Sequence, residues 1–202
     1  MPKIRAATVA EHRAQTGAAV LDAFEDLLAE KGYDALTLGD VAARVGVSRA
    51  TVYNYVDDKS ALLMAAAERA GRRLVDSVDV AIAGSPAPVG ERLDIVVRVV
   101  IVVLAKDARS LDLLQIRPES FRELDRTRAT APFEDVRNRL SGIIADGVSQ
   151  GVFVPHDDPD LATDLILGVV QSAIQRLIAA PSAPDHVVDA ASRFIARALA
   201  LH

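Results

Sequence analysis

The chain contains no cysteine and no tryptophan in 202 residues. The first absence excludes disulfides, thiolate metal ligands and cysteine nucleophiles. No apolar run reaches bilayer length, because the longest, Ile95 to Ala105, is broken by Arg98. No apolar stretch follows Met1-Pro2-Lys3-Ile4-Arg5, so a secretory signal is not expected. Together these features predict a cytoplasmic protein with no membrane partner. The four histidines, His12, His156, His186 and His202, lack metal-ligand spacing. There is no Gly-rich phosphate loop, no Gly-x-Ser-x-Gly elbow and no zincin motif. Hence no catalytic residue, no metal and no cofactor is expected, and the chain does not read as an enzyme.

A basic excess is also missing. The net charge is −5, and residues 1–60 carry seven Lys/Arg against nine Asp/Glu. A globally basic domain would have been the simplest electrostatic signature of nucleic-acid binding. Local distribution matters more, since phosphates meet only one face. Val41 to Val56 contains no acid but includes Arg44 and Arg49, while Lys3, Arg5 and Arg13 fall in an N-terminal stretch expected to be flexible.

What the chain has is apolar material in helical order. Half the residues are hydrophobic and 25% are charged, enough to bury a core and too apolar for disorder. Thr8-Val-Ala-Glu11 has the form of a capping box. Val20, Leu21, Phe24, Leu27 and Leu28 then make one helical stripe, which Lys31-Gly32 should end. Thr37-Leu-Gly-Asp40 opens a short helix, Gly46 stops it, and Ser48 caps a third helix running to about Val56. Asp57-Asp58 begins a long fourth helix through Leu62, Leu63 and Leu74. After the turn-rich segment 84–90, helices are expected near 91–105, 108–116, 119–128, 132–150, 158–179 and 185–200. The fold class is all-α, about nine helices. Residues 1–60 are expected to form an N-terminal three-helix domain, and residues 61–202 a second helical domain.

The segment Thr37–Tyr55 meets the requirements of a helix-turn-helix. Gly46 supplies the turn residue, and small Ala42 and Ala43 permit close approach. Val41, Val45, Val47 and Val52 fill the shared core, leaving Ser48, Arg49, Thr51, Tyr53 and Asn54 outward. In such motifs the start of the second helix contacts base edges in the major groove.

The run from Ala19 to Leu63 resembles the DNA-binding domain of the TetR family. The resemblance is carried by Glu30-x-Gly32-Tyr33-x-x-x-Thr37, Gly46-Val47-Ser48, Tyr53-x-Tyr55 and Lys59. It implies that Thr37, Tyr53 and Lys59 bind phosphates and that Ser48 contacts DNA as well, although Thr37 and Ser48 are helix caps in either case. Arg49, Ala50, Thr51 and Asn54 would face the major groove, Arg suiting a guanine edge and Asn an adenine. Tyr55 would either touch phosphate or pack. The chain departs from the family at Val56, where Phe is usual, and at Asp57 and Asp58. One of those acids is explained as a helix cap, while the other sits unfavourably near the phosphate path.

The same resemblance implies that the last two long helices pair with a second copy. Leu161, Leu165, Gly168, Val169, Ser172 and Arg176 share one face of the first, and Val187, Ala190, Phe194 and Ala198, with Ile195 beside them, mark the second. The alternative is that these stripes bury in the chain's own core. An effector pocket is expected among residues 75–175, with Arg98, Gln115, Arg117 and Gln171 as polar lining. Few aromatics (Phe121, Phe133, Phe153 and Phe194) favour an aliphatic ligand. The resulting expectation is a homodimeric, ligand-responsive repressor whose partners are inverted-repeat double-stranded DNA, a second copy and a small apolar molecule. The fourth helix would couple pocket to DNA. Two other readings stay open: a constitutive regulator or activator with the same head and no effector, and a helical ligand-binding or enzymatic bundle whose head makes protein contacts.

Overall fold

The computed structural model describes residues 6–83, 87–106, 126–180 and 184–200. Eight α-helices are present among them: α1 Ala6–Ala35, α2 Leu38–Val45, α3 Arg49–Tyr53, α4 Lys59–Ala83, α5 Val89–Lys106, α6 Arg126–Ser149, α7 Pro159–Ala179 and α8 Pro184–Leu199. No strand occurs among the described residues apart from one isolated bridge between Phe153 and Ala200. The helices expected near 108–116 and over most of 119–128 lie outside the described residues. Two compact units divide within α4, the first running through Arg69 and the second starting at Ala70.

In the first unit the stripe of α1 is buried at Val20, Phe24, Leu27 and Leu28, joined by Leu36 and by Leu62 and Leu63 of α4. The expected end at Lys31-Gly32 is a break rather than a stop. Gly32 takes φ 73°, ψ 165°, a region open essentially to glycine, and one further helical turn follows. At its other end α1 already runs at Ala6, so Thr8 lies inside the helix instead of capping it. A buried ion pair, absent from the sequence reading, clamps α4 to α1. Glu25, 1% exposed, accepts from Arg69 Nε at 2.9 Å and Nη2 at 2.7 Å, and Arg69 Nη1 reaches Asp22 at 2.7 Å.

In the second unit α5, α7 and α8 pack on one another. Their core is Val96, Val97, Val100, Ile101 and Leu104 against Ile166, Val170, Ile174 and Leu177, with Val188, Ile195 and Leu199. Contrary to the sequence expectation, α7 is long and apolar enough for a bilayer span by length and composition. Part of that apolarity is the stripe it buries in this core, 39% of the apolar window. Asp158 caps α7 by accepting from the Leu161 N–H at 2.9 Å, with Pro159 at the tolerated first turn. Before it, Gly151 at φ 68° turns the chain so that Phe153 folds back on α6. The Val152 and Phe153 N–H groups both donate to the Gly147 carbonyl, at 2.8 and 3.1 Å. The ring lies where a Cβ on residue 147 would stand, so only glycine fits there.

Candidate nucleic-acid interface

The helix-turn-helix is assembled by caps. Thr37 and Asp40 form a reciprocal capping box: the Asp40 N–H donates to Thr37 Oγ1 at 3.2 Å, and the Thr37 N–H donates to Asp40 Oδ2 at 2.9 Å. Lys31 adds a 3.0 Å ion pair to the same carboxylate. The Thr37 hydroxyl bond, then Lys31 and the Thr37 N–H, lower the Asp40 carboxyl to about 2. Gly46, at φ 79° and ψ 29°, ends α2 in the left-handed conformation. The N–H groups of Gly46 and Val47 both donate to the Ala42 carbonyl at 3.0 Å. Ser48 caps α3 through the Thr51 N–H at 3.1 Å, and the two hydroxyls meet at 2.8 Å.

Helix α3 is shorter than its sequence suggests. It ends at Tyr53, and Asn54 serves as its C-cap with its N–H shared between the Thr51 and Val52 carbonyls. The chain tightens into a turn there because Asp58 then caps α4, accepting from the Ala61 N–H at 2.8 Å. Asp58 is thus the acid that capping explains. Asp57 stays exposed.

Val41 and Val52 are fully buried and fix α3 against α2, while Ala42 is buried between them. Val45 and Val47 are only half-buried, and Ala43 is exposed, so the core of the motif is narrower than expected. The outward side of α3 presents Ser48, Arg49, Ala50, Tyr53 and Asn54 to solvent, with Thr51 half-buried. Tyr53 is 46% exposed, a large aromatic left uncovered. Arg49 lies beside it, its Nη2 3.4 Å from the Tyr53 hydroxyl and its guanidinium 5.9 Å from the ring centre.

Three charged positions differ from the sequence expectation. Arg44 forms a two-pronged pair with Glu30, at 3.1 and 2.7 Å, so its charge is spent within the protein. Arg13 is helical, and it reaches over to the motif: Nη2 is 3.5 Å from the Asn54 carbonyl, and the guanidinium is 6.0 Å from the Tyr55 ring centre. Gly17, one turn on, admits the Tyr55 ring at ordinary contact distance, so Tyr55 packs on α1. The four-residue spacing of Arg13 and Gly17 was the available signal. Lys59 points inward. Its Nζ donates to the Tyr33 carbonyl at 2.8 Å and the Leu36 carbonyl at 3.1 Å, and it stands 4.1 Å from the Tyr33 ring centre.

The remaining candidates among the described residues belong to the second unit. Arg98 is tied to Asp94 and to Asp189, both at 2.6 Å, a clamp between α5 and α8 in place of the expected pocket lining. Gln171 faces solvent, because the buried stripe of α7 passes through Val170 and Ile174. Gln115 and Arg117 lie outside the described residues. Of the stripe expected to meet a second copy, Leu161, Leu165 and Phe194 are 53%, 64% and 63% exposed. Gly168, Ser172, Arg176, Ala190 and Ala198 are exposed with them, and Val169 and Val187 are half-buried. These residues are therefore not part of the chain's own core. Ile195 is, at 2% exposed.

Comparison with known proteins agrees with this geometry. Residues 20–66 match the family described as bacterial regulatory proteins, tetR family, and residues 86–175 match the tetracyclin repressor-like C-terminal domain. The HTH-type transcriptional regulator AlkX of Mycobacterium tuberculosis is 46% identical over 59 residues, 29% of this chain and 28% of that one. The HTH-type regulator YdeS of Bacillus subtilis is 47% identical over 49 residues, so the chain spans only about a quarter of the length of these two relatives. A fatty acid metabolism regulator protein of Bacillus subtilis is 23% identical over 77% of this chain and 79% of its own. Among solved structures, a tetR-family regulatory protein from Rhodococcus RHA1 superposes with TM-score 0.80 at 20% identity, covering 93% of this chain and 98% of that one. FadR from Bacillus subtilis, solved in complex with stearoyl-CoA, gives 0.78 at 20% identity, covering 92% and 99%.

Proposed function

Because the chain belongs to the TetR family of bacterial regulatory proteins, we propose that it is a transcriptional repressor that binds an inverted-repeat operator as a homodimer and releases it when a small apolar effector binds. The observation that carries this reading is the outward face of α3. Arg49, Ala50, Tyr53 and Asn54 are exposed together on a helix fixed by Ser48 at one end and by buried Val52 beneath. Arg49 and Asn54 supply base-edge donors, Thr51 offers its methyl to thymine, and Tyr53 offers a hydroxyl to phosphate. Thr37, Ser48 and Lys59 act chiefly by holding the motif's shape, since their polar atoms are engaged in caps and carbonyl contacts.

The dimer reading is supported by Leu161, Leu165 and Phe194, which one chain leaves uncovered. Two copies related by a twofold axis would present two recognition helices to the half-sites of a palindrome. The effector reading is supported by the relatives: one regulates fatty acid metabolism, and one was solved with stearoyl-CoA. Release would follow if the ligand favours a conformer whose recognition helices no longer match successive major grooves. In this reading no residue carries out a reaction.

The test is duplex binding by fluorescence anisotropy, using sites selected from the organism's own DNA. Affinity should fall steeply with salt, and Arg49→Ala and Tyr53→Ala should each abolish site-specific binding. Indifference of selected-site binding to both substitutions would sink the DNA-reading assignment.

A further inference from the structure

Most cations of the head are committed to partners inside it. Lys31 is paired with Asp40, Arg44 with Glu30, and Arg69 with Glu25 and Asp22. Lys59 turns inward to the Tyr33 and Leu36 carbonyls. Between Ala6 and Arg69 that leaves Arg13 and Arg49 without a carboxylate partner among the described residues, and both are exposed. They stand at opposite ends of α3. Arg49 opens the helix, and Arg13 comes from α1 to Asn54, its C-cap. Only neutral groups hold Arg13 there. Nη2 donates to the Asn54 carbonyl at 3.5 Å, and the guanidinium is 6.0 Å from the centre of the Tyr55 ring. That ring is itself seated on α1 at Gly17. Such contacts orient the guanidinium without neutralising it, and they leave most of its N–H donors open.

The C-terminal end of α3 is where a duplex would need a positive charge. With the start of α3 at the base edges, that end is left at the rim of the groove, beside the sugar–phosphate strand. It carries the partial negative charge of its terminal carbonyls, and exposed Asp57 follows it. Both repel a phosphate, and Arg13 is the charge that offsets them. We propose that Arg13 is a DNA-contact residue, its guanidinium, held over Tyr55 at the C-terminal end of α3, donating to a backbone phosphate of the duplex. The inference rests on the DNA-binding reading above and adds to it a contact from outside the helix-turn-helix. Arg49 reads a base at one end of α3, and Arg13 ties the other end to the strand whatever its sequence.

The test is fluorescence anisotropy of the full chain on a selected-site duplex and a shuffled duplex, each over a salt series. Arg13→Gln removes the charge and keeps a planar donor. It should weaken binding to both duplexes by about tenfold per half-site, the scale of one charge-assisted bond. It should also lower the salt slope by about 0.9 per half-site. Arg13→Lys, which restores the charge, should recover the slope. An unaltered slope in Arg13→Gln would overturn the proposal. So would a loss confined to the selected duplex, which would make Arg13 a positioning residue for Asn54. Arg49→Ala separates this contact from the reading beneath it. If Arg49→Ala abolishes selected-site binding while Arg13→Gln leaves the slope unmoved, the phosphate contact alone fails. If binding is indifferent to Arg49→Ala and Tyr53→Ala, the DNA-reading assignment fails and this contact with it.

Discussion

The ammonium of Lys59 sits 4.1 Å from the centre of the Tyr33 ring and donates to the carbonyl of the same tyrosine at 2.8 Å. One side chain at the start of α4 thereby closes the connection between α1 and α2, with Leu36 supplying the second carbonyl. Those carbonyls follow the break at Gly32, where regular helical bonding has been interrupted. A cation–π contact and two charge-assisted bonds in a half-buried setting make Lys59 a structural brace. Lys59→Met should destabilise the head by about 1–2 kcal/mol, read by urea unfolding. Unchanged stability would show that the brace carries nothing and that Lys59 serves DNA alone.

Asp40 makes the head sensitive to acid. Its carboxyl is lowered from 3.8 to about 2, so the folded state favours the charged form and the unfolded chain takes up the proton first. The stabilisation is complete above the ordinary value and is lost as pH falls through the lowered one. Stability should therefore decline between about pH 4 and pH 2 through this group. Asp40→Asn should be less stable near neutrality and should lack that part of the decline, as measured by thermal unfolding across the range.

Two glycines are required for different reasons. At Gly46 a Cβ meets nothing within 4 Å, but φ is +79°, so Gly46→Ala should cost about 1–2 kcal/mol from backbone strain alone. At Gly147 the backbone is helical, and the obstacle is the Phe153 ring. Gly147→Ala should cost about 1–3 kcal/mol by displacing that ring. The double variant Gly147→Ala with Phe153→Ala should show a coupling between the two sites in a mutant cycle, whereas Gly46→Ala should add independently to either.

The exposed stripe of α7 and α8 should govern self-association. Phe194→Asp or Leu165→Asp should raise the dimer dissociation constant about 1000-fold, since symmetry doubles a loss of ~2 kcal/mol at a central apolar contact. Sedimentation at several concentrations reads this directly. A circular dichroism spectrum unchanged by the substitution would show that the fold is intact. A dimer that withstands both substitutions would place the interface elsewhere.

Base reading and phosphate binding should separate by their salt dependence. Asn54→Ala should flatten preference among duplexes by about 1–3 kcal/mol at one base position and leave the salt slope alone. Arg13→Ala, on α1 and close to the Asn54 carbonyl, should weaken all duplexes alike and lower the slope by about 0.9.

Much of this protein is local, and the local part was legible. The Thr37–Asp40 box, Gly46, the Ser48 cap and the Asp158–Pro159 start each need only a few neighbouring residues, and all occur as their spacing implied. The stripe of α1 followed from helical period alone. Charge was harder to read. Arg44 looked like half of a positive face, but Glu30, fourteen residues earlier, folds back and neutralises it. Arg98 looked like a pocket residue inside an apolar helix, yet Asp189 reaches it from α8. A long side chain chooses its partner in space, and sequence distance carries no information about that choice.

The helix-turn-helix at Thr37–Tyr55 was determined by the sequence itself, because caps, a left-handed glycine and a valine stripe act within one or two turns of chain. Tertiary structure alone decided which of its polar groups are spent and which are free. Lys59 turned inward and Arg44 was paired, while Arg49 and Tyr53 were left outward and Arg13 was brought beside them. Periodicity fixes which face of a helix is buried; only packing fixes what that face meets.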